Sequence, residues 1–218
     1  MLSSNYSNRL FGRTRGRSKK KINLKNYYET VDKYKFQHFN EETEYILDVG
    51  TGYGETSIFL AKQFPDKVII SCEKYIDGNI ILLKNIENSK IKNIQLHNGN
   101  VYNILDGVNK KYFKLIWIFF PDPWPKNRHA KRRLVTSDFL LKLHKNMKEN
   151  SEIYIATDSV IYVRFILNSI YKCKDYFLWV NQSKINLGIQ DYFDIETKYY
   201  KKAIKSQRKP SLFILRKL

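Results

Sequence analysis

The chain has 218 residues, 43% hydrophobic and 15% aromatic, with a formal net charge of +18. That length suits one domain with a full core, leaves no room for two ordinary domains and a linker, and the apolar share excludes a disordered chain. No apolar run of about 18 residues occurs, Met1-Leu2-Ser3-Ser4 opens no apolar leader, and the lone Cys72 and Cys173 have neither zinc-site spacing nor disulfide density; membrane, secretory and metal-binding classes are therefore disfavoured and a reducing, cytoplasmic setting is expected.

A cation excess of this size repels itself and normally persists where a polyanion neutralises it, so nucleic acid is the leading partner. A composition bias toward Lys, Asn, Ile and Tyr is the competing explanation, and the placement of the charge decides between them. In chain order, residues 1–28 carry no acid, and Arg9 to Lys21 sets seven basic side chains among thirteen residues. Such a segment cannot bury a core face and reads as a flexible arm, although an acid-free start with Arg and Ser also has the make-up of an organellar transit peptide. Residues 1–40 are expected to form this arm and a lead-in helix, and residues 41–218 the functional domain.

From Tyr45 onward short apolar runs alternate with amphipathic ones. Strands are expected over Tyr45 to Val49, Val68 to Cys72, Ile94 to His97, Leu115 to Phe120, Ile153 to Ala156, Phe177 to Val180 and Leu212 to Leu215. Apolar residues three and four apart predict helices over 55–63, 77–87, 136–147 and 159–170. Strand and helix taking turns, with strands as apolar as LIWIFF, predict an α/β fold: a mostly parallel central sheet with helices on both faces.

The first expected strand runs into Asp48-Val49-Gly50-Thr51-Gly52-Tyr53-Gly54-Glu55. Glycines between a strand and a helix let the backbone bend sharply and approach a ligand closely. A dinucleotide fingerprint needs its third glycine one residue later, where this chain has Glu55, and a carboxylate at a helix N-terminus repels a diphosphate. The turn therefore suits a phosphate-free cofactor with a cationic or zwitterionic group, which is the chemistry of S-adenosyl-L-methionine. Glu73, at the end of the second strand, stands where an acid accepts both ribose hydroxyls. The competing reading is a plain tight turn with Glu73 as a helix cap.

The fourth expected strand leads into Pro121-Asp122-Pro123-Trp124-Pro125, then Lys126, Arg128, Lys131, Arg132 and Arg133. Three prolines fix the backbone and hold Asp122 and Trp124 with little entropy left to lose. The cations can neutralise phosphates, the carboxylate can accept hydrogen bonds from a guanine edge, and the indole can stack on a base. The plainer alternative is a proline-braced loop with a solvated basic helix start.

The run FPDPWPKNRHAKRRLV at 120–135, together with LDVGTGYGE, Glu73, IATD at 155–158 and Thr197-Lys198-Tyr199, resembles the tRNA (guanine-N7)-methyltransferase family of the bacterial TrmB type, from Arg9 to about Leu218. The resemblance implies a Rossmann-like class I methyltransferase fold, with tRNA as substrate and a variable-loop guanine as target; a monomer or homodimer is expected. It implies cofactor binding by Asp48, Gly50, Gly52, Gly54, Glu73, Asn100 and Asp122, catalysis by Asp122, and substrate contacts by Lys126, Arg128, Asp158 and Thr197. The chain has Asp48 where the family usually has Glu, Asn100 where it has Asp, and Tyr200 where a Glu closes the T-x-x-E element; Tyr200 stays a candidate substrate contact. The rival readings are an amino-group methyltransferase for adenine or cytosine, which the proline-flanked Asp122 would also suit, and a non-catalytic RNA-binding protein on the same fold.

Overall fold

The computed structural model describes residues 10–12, 14, 24–108, 110–184 and 188–218. Arg9, Arg13, Arg15, Arg17, Lys19, Lys20 and Lys21, which supply the arm's charge, lie outside the described residues. The elements in chain order are α1 (Leu24–Tyr34), β1 (Tyr45–Val49), α2 (Glu55–Gln63), β2 (Val68–Cys72), α3 (Ile76–Glu87), β3 (Ile94–His97), α4 (Val101–Asp106), β4 (Phe113–Phe119), α5 (Ser137–Asn146), β5 (Met147–Thr157), α6 (Val160–Lys172), β6 (Phe177–Trp179), α7 (Lys198–Lys205) and β7 (Ser211–Lys217).

The seven strands form one sheet in the order β3-β2-β1-β4-β5-β7-β6. Neighbours from β3 to β5 pair in parallel, and β7 inserts antiparallel between β5 and β6. The chain builds outward from β1 through β2 to β3, then crosses back to lay β4 on the other side of β1. This reversal leaves a crevice beyond the carboxyl ends of β1 and β4, where open α/β sheets bind ligands.

Period-two alternation sends successive side chains to opposite faces. Leu47, Ile116, Ile118, Ile153 and Ile155 join one core cluster with residues of α4, α5 and α6. Ile46, Trp117, Phe119, Ala156 and Leu212 join the other with residues of α1, α2 and α3. Burial on both sides is why these strands read as continuous apolar runs rather than as alternating ones.

Three elements are less visible in the sequence. Helix α4 has six residues, too few to display a period. Helix α7, KYYKKAIK, buries only Ala203 fully and looks like a solvated charge run. Strand β5 extends back to Met147, which pairs with Phe113; a register shift then carries the polar residues 148–151, and regular pairing with β4 and β7 begins at Glu152.

Candidate active site

Gly50, Gly52 and Gly54 all adopt left-handed conformations, with φ of 73°, 60° and 84°. A side chain would be strained at each. At Gly54 a β-carbon would also lie 2.4 Å from Leu82 Cδ1, so this glycine lets α2 pack on α3. Gly78 plays a matching part from α3: a β-carbon there would lie 2.0 Å from the Gly52 carbonyl oxygen. That approach joins two segments far apart in the chain, and no local motif announces it.

Asp48 sits beneath this turn. It is 1% exposed, and its Oδ2 accepts hydrogen bonds from Thr56 Oγ1 at 2.5 Å and Ser57 Oγ at 2.6 Å. Burial raises its pKa above the usual carboxylate range, against the lowering effect of the hydroxyl donors. The carboxylate therefore ties the end of β1 to the start of α2. Glu73 reaches the turn from β2: Oε2 accepts from Gly52 N–H and Oε1 from Tyr75 N–H, both at 2.9 Å. Burial raises its pKa too, opposed by these backbone donors. Asn100 caps α4, its Oδ1 accepting from Tyr102 N–H at 3.1 Å, and its carbonyl oxygen lies 3.0 Å from His97 Nε2.

Across the crevice, the loop after β4 is held from both ends. Phe120 N–H donates to the Ala156 carbonyl at 2.8 Å, and Phe120 and Trp124 take positive φ of 52° and 41° on either side of the Pro-Asp-Pro turn. Left-handed aromatic residues are strained, and such strain persists only where the surroundings over-determine the backbone. Arg133 supplies much of that constraint. It is 7% exposed, donates Nε to the Pro123 carbonyl at 3.0 Å and a terminal nitrogen to the Trp124 carbonyl at 3.1 Å, and lies over the Phe165 ring. Sequence reasoning grouped Arg133 with the phosphate-facing cations, but its hydrogen-bonding groups serve the loop itself. Lys126, Arg128 and Lys131 are exposed, as is Asp122.

Part of the N-terminal arm crosses this region. Lys74 Nζ donates to the Leu10 carbonyl at 3.1 Å, and Ile76 N–H to that of Thr14 at 2.9 Å. Arg132 lies 5.4 Å from the Phe11 ring and 5.0 Å from the Trp124 ring. A β-carbon on Gly12 would come within 3.6 Å of Asp122 Oδ2 and 3.3 Å of Lys74 Cε. The described end of the arm, expected to stand free, therefore runs between the start of α3 and the proline loop.

The C-terminal segment closes another side. Thr197 is buried, and its Oγ1 caps α7 by accepting from Tyr200 N–H at 3.0 Å. Lys198 N–H donates to Glu55 Oε1 at 3.1 Å, and Lys198 Nζ lies 4.1 Å above the Tyr53 ring. Asp158, beyond β5, accepts from Arg208 Nε at 2.8 Å. Tyr200 packs against the second core cluster, whereas Tyr199 sits where a Gly52 β-carbon would meet its Cε2 at 3.6 Å and stacks on Phe120 at 6.4 Å. The glycine turn and the Asp122 loop thus share one crevice with α7 across it. Sequence reasoning singled out Tyr200 and passed over Tyr199. The signal was the position of both tyrosines just after a cap at Thr197, which makes them point to different sides of a helix.

Among the described residues, no group of three or more His, Cys, Asp or Glu side chains could hold a metal ion. Among them, too, no helix is long and apolar enough to cross a membrane.

The chain resembles known methyltransferases in sequence and in fold. Residues 42–211 match the model of a family described as "Putative methyltransferase". A tRNA (guanine-N(7)-)-methyltransferase of Wolbachia pipientis wMel is 33% identical over 194 residues, which are 85% of this chain and 84% of that protein. One from Neorickettsia sennetsu is 35% identical over 164 residues, 74% of each chain. A solved rRNA methylase of Streptococcus thermophilus shares the fold with a TM-score of 0.53 at 11% identity, covering 92% of this chain and 99% of that one. With relatives this similar over most of their length, and a seven-stranded class I methyltransferase sheet to carry the motifs, this chain belongs to the tRNA (guanine-N7)-methyltransferase family.

Proposed function

We propose that the chain transfers the methyl group of S-adenosyl-L-methionine to N7 of a guanine in the variable loop of tRNA, with Asp122 as the catalytic residue. The observation that carries this reading is the crevice at the switch between β1 and β4, on which both the glycine turn and the Asp122 loop open.

The residues at the turn fit the cofactor. A β-carbon on Gly50 would meet nothing within 4 Å, so that part of the turn faces open space. Glu73 accepts backbone hydrogen bonds at both carboxylate oxygens, and the two lone pairs of each oxygen leave acceptor capacity for ribose hydroxyls. Asp48 and Asn100, which hold the ends of β1 and α4, act by fixing the backbone that lines the cofactor. When bound, S-adenosyl-L-methionine supplies a methyl group on a positively charged sulfur.

Guanine N7 has a lone pair and no proton, so no base is needed to create the nucleophile. The lone pair forms the new carbon–nitrogen bond as the carbon–sulfur bond breaks, its electrons remain on sulfur, and positive charge arrives on the purine. The protein's tasks are alignment, which supplies several kcal/mol of the barrier, and electrostatic stabilisation of the charge that arrives. Asp122, held by prolines and by the Arg133 brace, faces that charge and orients the base. Lys126, Arg128 and the arm's arginines meet the phosphates, while Asp158 and Thr197 border the substrate side. The protein works in the cytoplasm, as a monomer or a homodimer.

The test is to incubate the protein with unmodified tRNA and methyl-labelled cofactor, digest the RNA, and identify the labelled nucleoside and its position. N7-methylguanosine in the variable loop is the expected product. Label on an adenine or cytosine amino group, or absence of transfer, overturns the proposal.

A further inference from the structure

Of the aromatic rings around the crevice, Tyr53 carries the Lys198 ammonium on its face and Trp124 has Arg132 over one face and the His129 edge nearby. Phe120 packs against the core. Tyr199 differs: it is 47% exposed, while Phe11, Tyr53, Tyr75, Phe120 and Trp124 are all more enclosed. It lies between the two halves of the site, with Gly52 on one side and Phe120, two residues before Asp122, on the other at an interplanar angle of 24°. Its backbone is fixed by the Thr197 cap and by the Lys198 to Glu55 hydrogen bond. Burial first, and then the carboxylate of Asp122, raise the pKa of its phenol.

We propose that Tyr199 is the platform on which the target purine stacks, and that its ring stabilises the positive charge the purine gains on methylation. The proposal rests on the function given above and assigns that site a specificity-determining residue. A half-exposed aromatic side chain, rigidly mounted beside the methyl donor turn, offers a purine contact at little entropic cost. The quadrupole of the phenol ring attracts a cation over its face, so the contact strengthens as charge moves from sulfur to the ring system of the base. An interaction stronger in the transition state than in the ground state raises kcat rather than only lowering KM.

The test compares the wild type with Tyr199→Phe, Tyr199→Leu and Tyr199→Ala in single-turnover methyl transfer to full-length tRNA. Cofactor affinity is measured by calorimetry and stability by thermal melting on the same samples. Tyr199→Ala and Tyr199→Leu are expected to lose about tenfold or more in rate, as removal of a base–aromatic stack does. Tyr199→Phe restores most of it, and cofactor affinity and melting temperature change little across the set. Equal rates for the Leu and Phe variants would reduce Tyr199 to a space-filling residue and overturn the proposal. So would a wild-type rate in the Ala variant, or a rate loss matched by lost cofactor affinity. Label on a nucleoside other than N7-methylguanosine defeats the function assignment alone, since the Phe and Leu contrast still judges the stacking role. A wild-type chain that transfers no methyl group defeats both.

Discussion

The two loops that face each other across the crevice are made rigid by opposite means. The turn after β1 uses glycines in left-handed conformations and draws its order from outside, through the Glu73 carboxylate, the buried Asp48 and the close approach of Gly78. The loop after β4 uses prolines, which restrict its own dihedrals, and then forces Phe120 and Trp124 into the left-handed region with Arg133 as a strut. The first arrangement leaves backbone bare for a cofactor to approach; the second projects side chains, Asp122 above all, toward a substrate. The difference implies that damage to the first loop registers as lost cofactor affinity, and damage to the second as lost turnover or stability.

The sharpest test of that contrast is Asp122→Ala. It should reduce turnover by on the order of 100-fold or more, the scale of one electrostatic contact in a transition state, with tRNA affinity in filter binding nearly unchanged. Wild-type turnover would remove Asp122 from the chemistry.

Next, Gly78→Ala pushes a methyl group against the Gly52 carbonyl and must displace the turn. Cofactor affinity by calorimetry should fall about tenfold or more, consistent with the cost of a misplacement near 1 Å. Unchanged affinity would show that the turn yields without cost.

On the opposing loop, Arg133→Ala strips the part-buried Pro123 and Trp124 carbonyls of their donor and should cost about 2 kcal/mol in chemical denaturation. The salt dependence of tRNA binding should stay as it was. Arg128→Ala should do the reverse, leaving stability alone and reducing the salt slope by about one unit. Equal salt slopes for the two variants would erase the distinction between strut and phosphate contact.

The smallest effect concerns pH. Because burial raises the Asp48 pKa, stability from its neutral form is complete below the ordinary carboxylate value and is lost as pH rises through the raised one. Asp48→Asn keeps an acceptor without the charge and should flatten the fall in stability above about pH 4. Glu73 is shifted in the same direction and leaves a residual slope. An unaltered pH profile would mean that Asp48 does not titrate across that window.

Most of the sheet was legible in the sequence because a strand buried on both faces is largely apolar, as β1, β2 and β4 are, while the shorter β3 shows its half-buried alternation, and the expected bounds of β1, β2 and β3 are those observed. The site was legible as motifs but less so as roles. Asp48 reads as a cofactor ligand, yet its Oδ2 accepts from two hydroxyls of α2. Arg133 reads as one of five loop cations, yet only its neighbours Lys126, Arg128 and Lys131 are exposed. In each case the side chain's chemistry suits either use, and its direction depends on a partner distant in the chain.

The local facts were available from the amino-acid order alone: glycines where a turn must go left-handed, prolines where a loop must not move, and a period that separates strand from helix. Steric and conformational preferences act over a few residues, so a one-dimensional string can record them. Tertiary structure alone decided that β4 lies beside β1, that Gly78 presses on Gly52, and that α7 turns Tyr199 rather than Tyr200 toward the crevice. Those are relations between surfaces that meet only once the core has closed, set by which apolar faces pack together and which close contacts the backbone can tolerate.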